Sequence, residues 1–456
     1  MTTTATARLT AGPIGPGLLR LTLPMVLGIS SSLLAGLAET YYLGLLGSTE
    51  LAALGFTFPV TSGLMSLTLG VSIGLSSVLA REVGAGNQLN IKTTATGGLT
   101  LASLVMVIVS ILGLLSTSWL FTALGANEQT LPLVTEYMQL WYLSLLFMAI
   151  PSVGANALRA TGDAKISGYL MVAGSVLQVI LAPVFIFGLL GLPELGMTGA
   201  ALGNLIARIL MCCVTLYILV NRYQLIQFRG VDPKALLQAW RSILVVSIPA
   251  TATNLIGPVS SAFIVSLLAG YGQSTVAGFA IANRVEGLFV IPLFALSASI
   301  GPFVGQNFGA KAHDRADAAM RLSFRWSLYW GLGVALALYF IAEPLVHIFD
   351  KDPQVAKVAI LYLMVVPISF GTWGVIMMAS AIFNALGYPL RSTLISIFRM
   401  LIIYVPLAFI LSNQWDVFGI FLAGAAANII SALIAYLWNR KTFIVPAKGA
   451  TSLGSD

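Results

Sequence analysis

Glu39 is a carboxylic acid set deep in an apolar stretch that begins near Leu18, and a carboxyl in such a place is by default a site for exchanging a proton or holding a cation. Arg20 marks the polar end of that stretch. At 1.5 Å per helical residue Glu39 lies about 28 Å beyond it, in the far half of a membrane span, where its side chain cannot easily snorkel back to water. Insertion scales put a central acid at roughly 2.5–3.5 kcal/mol. A carboxyl there is neutral when protonated and anionic when a cation is close, so occupancy can be coupled to protein shape. The bland alternative is a neutral Glu hydrogen-bonded to a neighbouring helix.

Other reactive groups are scarce. Cys212 and Cys213 are adjacent in an apolar run, and His313 and His347 fall in different connections on opposite sides of the membrane, without metal-ligand spacing. Nor is a Cys-His or Ser-His-Asp grouping suggested, so the chain is expected to be no enzyme and to carry no metal and no cofactor. Four more charges fall inside spans. Arg284 and Glu286 are two positions apart and so do not share a helical face. A structural ion pair with another helix, or a partner such as Arg399, is one reading for either and a functional role the other, while Arg208 is a candidate counter-charge for Glu39 with the same structural alternative.

The elements that must position these groups follow from composition. The chain is 58% hydrophobic and only 9% charged, against roughly 25% charged in ordinary soluble domains. Twelve apolar runs long enough to cross ~30 Å of hydrocarbon as helices begin near Leu18, Ala52, Ala95, Pro132, Ser167 and Gly199, then near Ser242, Val276, Leu322, Val355, Pro389 and Val417. Barrel strands of about ten residues would not give runs this long.

The chain also repeats itself. A shift of 225 positions lays Pro24 on Pro249, Tyr137 on Tyr362, Gly162 on Gly387 and Gly199-Ala200-Ala201 on Gly424-Ala425-Ala426, whereas Glu39 falls on Ile264. One period of half the chain means two fused copies of a domain-sized unit. With six spans each, both copies start on the same side and should be related by an axis along the membrane normal, a build that suits a transporter rocking two bundles about a midplane site. A pair of bundles with only a scaffolding role is the alternative. The expected divisions are a cytoplasmic tail 1–17, an N-lobe 18–221, a cytoplasmic linker 222–241, a C-lobe 242–440 and a cytoplasmic tail 441–456, both tails unstructured. Eighteen Lys and Arg residues fall on the side of the N-terminus, against Lys351 and Lys357 on the other, which places both termini in the cytoplasm. The net charge of +7 is spread over every cytoplasmic connection, so no nucleic-acid partner is expected.

Three segments resemble a known family. Glu39-Thr40-Tyr41-Tyr42-Leu43-Gly44-Leu45-Leu46-Gly47-Ser48-Thr49-Glu50 and the residues following to Phe56 look like the first-helix signature of multidrug and toxic compound extrusion (MATE) transporters, as do Val304-Gly305-Gln306-Asn307-Phe308-Gly309-Ala310-Lys311 and Leu158-Arg159-Ala160-Thr161-Gly162-Asp163. The resemblance, nearest to the DinF-like branch, implies an all-α polytopic protein with V-shaped, two-lobed architecture. It also implies a monomeric multidrug efflux antiporter of the prokaryotic inner membrane, whose partners are membrane lipid and small organic, often cationic, xenobiotics. H+ or Na+ is the coupling ion it implies. A lipid-linked precursor flippase of the wider superfamily is the alternative.

In that branch the first-helix acid works with an Asn and an Asp four apart on the fifth helix, and the matching positions here are Gln178 and Ala182. The second acid is missing. Gln178, Asn204 and Asn156 still offer amide oxygens, so they are grouped with Glu39 as the coupling site and a proton is favoured over sodium. In the second copy Asn254 lies near the place where other branches carry a coupling Glu, and coupling through that lobe is not expected. Tyr41, Tyr42, Asn254, Phe263, Arg284 and Glu286 are candidates for the substrate cleft.

Overall fold

The computed structural model describes residues 7–227, 230–350 and 352–451, with the backbone alone for 444–451. Lys351 and the ends of both tails lie outside the described residues. Contacts divide the chain into two units, Leu23–Ser247 in the first, and Ile248 onward together with Arg8–Thr22 in the second.

The first unit is built from α1 (Ile14–Leu46, from Leu23 on), α2 (Ser48–Ala85), α3 (Gln88–Ala123), α4 (Leu131–Ala160), α5 (Ala164–Ile186) and α6 (Gly196–Tyr217, continued by a π turn to Arg222). Local chemistry sets the joints. Gly86 takes the left-handed conformation that ends α2, Asn87 caps α3, and the Asp163 carboxylate accepts from the Ile166 N–H to cap α5. The Gly162-Asp163 pair of the fourth-helix motif therefore makes the α4–α5 turn, with Gly162 at a φ of 91°. α4 packs against α2, α3 and α6, and glycines let backbones meet. A Cβ at Gly168 would lie 2.5 Å from the Pro24 carbonyl, and one at Gly203 would lie 3.1 Å from the Ala182 backbone.

The second unit holds α8 (Gln273–Gly309), α9 (His313–Phe349), α10 (Pro353–Val365), a 3-10 turn (Val366–Ser369), α11 (Phe370–Ala385), α12 (Pro389–Ile397), a π segment (Phe398–Tyr404) and α13 (Val405–Thr451). α11 packs against α8, α9 and α13. The preceding helix α7 (Pro233–Ala269) passes from one unit to the next. It starts inside the stretch expected as a linker, because Pro233 is well suited to a helical first turn.

Two further departures have simple causes. α1 starts at Ile14, inside the expected tail, and Pro16 falls in its first turn, where the missing N–H would have had no intrahelical partner. The segment before it is held within the second unit: the Leu9 N–H donates to Gln306 Oε1 at 3.1 Å, and Leu9 O accepts from Asn307 Nδ2 at 3.1 Å and from the Arg315 guanidinium at 3.3 Å. The eighth-helix motif thus binds backbone. At the other end, helix continues past Lys441 to Thr451 rather than giving way to an unstructured tail.

Eleven helical stretches among the described residues are long and apolar enough to cross a membrane, and the last of them is Pro389–Phe443. That stretch turns back on itself. Arg399 and Asn428 hydrogen-bond at 3.0 Å, although 29 residues of straight helix would hold them about 43 Å apart. The break lies at Trp415 and Asp416, whose angles are non-helical, and Gly419 beyond it sits against the Leu411 carbonyl where only a glycine fits.

Candidate functional site

Helix α1 presents Glu39 on the face that carries Gly28, Ser32 and Ala35, positions spaced by three or four residues. That face is held to α5. Gly28 lies against Met171, and Ser31 and Ser32 each reach Ser175 at 3.3 Å. One turn further along α5 comes Gln178, whose amide Nε2 donates to Glu39 Oε2 at 2.9 Å. From α6, Asn204 Nδ2 donates to Oε1 at 2.8 Å, and from α4 the Tyr137 hydroxyl donates to the same oxygen at 3.0 Å. Glu39 therefore receives three neutral donors from three different helices. Tyr137 and Asn204 are buried.

The cationic side of the site is indirect. Arg208, one turn beyond Asn204 on α6, stacks over the Trp141 ring with its guanidinium carbon 5.1 Å from the centroid and donates to Ser144 Oγ. No ion pair joins it to Glu39, so none has to be broken when the carboxyl gains or loses a proton.

Of the other residues grouped with Glu39 on the sequence, Asn156 stands elsewhere. Its Nδ2 donates to the Ser152 carbonyl at 2.9 Å and its Oδ1 accepts from Arg159 Nη2, so its oxygen is already engaged. Tyr137 was not among the sequence candidates. The signal was present in the repeat, which places a tyrosine at 137 and again at 362, but a tyrosine in a span has many bland uses. Ala182 is sealed at 1% exposure, in the close α5–α6 approach made by Gly203. The position where a second acid was sought is thus a packing contact.

The cleft candidates scatter. Tyr41 and Phe263 are exposed, Tyr42 packs edge-on to Phe187 at 6.4 Å, and Asn254 donates back to the Ala250 carbonyl at 3.0 Å. Arg284 is exposed on α8, whereas Glu286 turns inward and accepts from the Tyr362 hydroxyl.

The Tyr137 contact makes a testable statement. Hydrogen bonds to a charged group contribute about 1.5–3 kcal/mol, so Tyr137→Phe should slow gradient-driven export by about tenfold or more while the melting temperature of the purified protein moves little. A rate within twofold of wild type would remove Tyr137 from the site.

The MatE family model matches residues 24–184 and 249–410. An FAD transporter of Shewanella oneidensis is 33% identical over 97% of this chain and 98% of its own length, and a probable multidrug resistance protein of Bacillus subtilis, YoeA, is 26% identical over 87% and 88%. Among solved structures, the Vibrio cholerae MATE transporter VcmN in its bent form superposes with a TM-score of 0.89 at 28% identity over 95% of this chain and 97% of that one. An outward-facing multidrug resistance MATE family transporter of the MOP superfamily superposes with a TM-score of 0.92 at 26% identity over 98% and 100%. An all-helical, multi-pass membrane architecture, matched twice by one family model and along nearly its whole length by transporters rather than enzymes, makes this chain a member of the MATE family.

Proposed function

We infer that the chain is a proton-coupled antiporter that exports amphipathic, often cationic, organic compounds by alternating access, with Glu39 as its proton-binding group. The observation that carries this reading is the carboxyl of Glu39 held by two amides and a phenol. Each partner can serve both protonation states. An amide that donates N–H to a carboxylate can turn and offer its oxygen to the O–H of a carboxylic acid, and a phenol can do either without turning. A sodium ion would instead need several oxygen ligands at once, and Ala182 supplies none where an acid was sought.

The same reading gives the chain twelve spans in two six-helix repeats, counting the break at Trp415 and Asp416 as the turn between the last two. Support comes from the family model, whose two matches start 225 residues apart at 24 and 249. In the same reading both termini are cytoplasmic, which the excess of Lys and Arg in the connections on the side of the N-terminus supports. Proton and cationic substrate then compete for one carboxylate, and each leaves the protein as the other arrives. Adding a cationic substrate to purified protein in weak buffer should release protons, and Glu39→Gln should release none; equal release from both would refute the competition.

A second reading concerns the substrate alone. The Shewanella relative described as an FAD transporter is 33% identical over 97% of this chain, and Arg284 is an exposed cation within the second unit that suits an anionic phosphate better than a drug cation. Transport of labelled FAD, suppressed by Arg284→Gln and indifferent to cationic dyes, would favour this substrate class.

A further inference from the structure

The second unit carries a groove of about 420 Å3 between α9, α11 and α13. Arg321 and Arg325, one turn apart on α9, line one end of it together with Tyr436 of α13, whose ring lies 6.1 Å from that of Phe324. Arg321 is eight residues, about 12 Å of helix, from the start of α9 at His313. The apolar run of that helix begins at Leu322, so the two arginines stand where headgroups meet hydrocarbon. Further into the span the lining is apolar, with Leu328, Ile429 and Leu433 exposed at 45%, 48% and 61%. At that depth the Thr372 hydroxyl already donates to the Ser369 carbonyl at 2.7 Å and asks for no polar ligand.

The two cations differ in their company. Arg321 Nε donates to Asp317 at 2.9 Å, and that ion pair offsets its charge. Arg325 is exposed and makes no hydrogen bond or ion pair with any other described residue. The repeat shows what an equivalent face does in the first unit. The shift of 225 positions lays α3 on α9, Thr96 on Arg321 and Thr100 on Arg325. Thr96 Oγ1 accepts from the Gln227 N–H at 3.0 Å, Thr100 Oγ1 accepts from the Trp240 indole at 3.2 Å, and a Cβ at Gly97 would lie 3.1 Å from Ala239. Neutral hydroxyls there dock the chain's own connecting segment. In the second copy both hydroxyls give way to cations and Gly97 to Leu322, and both arginines stay exposed. Arginines that merely reach for water would need no apolar groove running on from them.

We propose that this groove binds an anionic glycerophospholipid from the leaflet on the side of the N-terminus. The phosphodiester takes the Arg325 guanidinium and the Tyr436 hydroxyl, and one acyl chain lies along Leu328, Leu433 and Ile429. Basic pockets between membrane helices hold anionic headgroups by the same chemistry, and a guanidinium fork suits phosphate oxygens. The charges match, because one offset and one uncompensated arginine meet a headgroup with a single negative charge. A free phosphate would use the cations and leave the apolar lining without a purpose, so the occupant is the lipid. The volume is at the low end of the roughly 300–1,000 Å3 of small-molecule sites and takes one chain rather than a whole lipid. The site stands whether or not Glu39 takes a proton.

Native mass spectrometry of the purified protein, titrated with dioleoyl phosphatidylglycerol, reads the affinity for the first lipid bound. Phosphatidylglycerol is expected to bind more tightly than dioleoyl phosphatidylcholine. Arg325→Ala should weaken it by about fivefold or more, the worth of one cation at an anionic surface. Leu433→Trp, which narrows the groove and leaves its charge alone, should weaken it as well. Arg241→Ala, which removes an exposed cation of the first unit, should leave it unchanged. Equal affinity for the two lipids, or an equal loss in Arg325→Ala and Arg241→Ala, would mean attraction to the general surface charge and overturns the site. Displacement of the lipid by inorganic phosphate, with Leu433→Trp binding as wild type, would make it a free-anion site and overturns the lipid assignment.

Discussion

Glu39→Gln is expected to reduce gradient-driven export to the level of liposomes without protein. The substitution keeps the shape of the side chain and its capacity to hydrogen-bond to Tyr137, Gln178 and Asn204, which contact it at 2.8–3.0 Å in the native protein. It removes only the ability to change charge. A proton can shift a conformational equilibrium solely through its different affinity for the two states, and a Gln has no such affinity to offer. Coupling is therefore lost outright rather than weakened. Counterflow, in which unlabelled substrate on one side exchanges for labelled substrate on the other with no gradient, should survive where the substrate does not depend on the charge, and its survival would show that the variant is folded. Export by Glu39→Gln at a tenth of the wild-type rate or more would contradict the assignment.

The second large effect is expected at a residue with no chemistry of its own. Ala182→Asp restores the acid that the family resemblance leads one to look for, but it does so in the α5–α6 contact, where Ala182 is 1% exposed and Gly203 brings the two backbones together. An uncompensated buried charge typically costs about 3–5 kcal/mol. Thermal melting in detergent should drop steeply for Ala182→Asp and much less for Ala182→Ser, which adds one small hydroxyl group. A stable Ala182→Asp protein that acquires sodium-driven export would mean that the sodium architecture is latent here and that only a ligand is missing.

What could be read from residue types alone depended on whether the property was local. Pro389 opens α12, and the run read as starting near Val417 begins just past the break at Trp415 and Asp416. Both are consequences of apolar length and proline chemistry. Gln178 was found by its place on the fifth helix, and Asn204 as a polar side chain in a span, and both donate to Glu39. Asn156 met the same description yet serves Arg159, because the sequence carries no record of which way a helix is rotated about its axis. Tyr137 and Glu286 were missed as a pattern for a related reason. Their partnerships join residues 98 and 76 positions apart. Repeat symmetry pairs the tyrosines, but Glu39 lies on the first helix of its repeat and Glu286 on the second, so it does not pair their acceptors.

On the proposed reading, protons and not sodium ions drive transport through Glu39. The most direct measurement is substrate movement in proteoliposomes under a pH gradient at equal sodium, and under a sodium gradient at equal pH. Movement under the pH gradient alone, lost in Glu39→Gln, is the predicted result; movement driven by sodium at equal pH would contradict it.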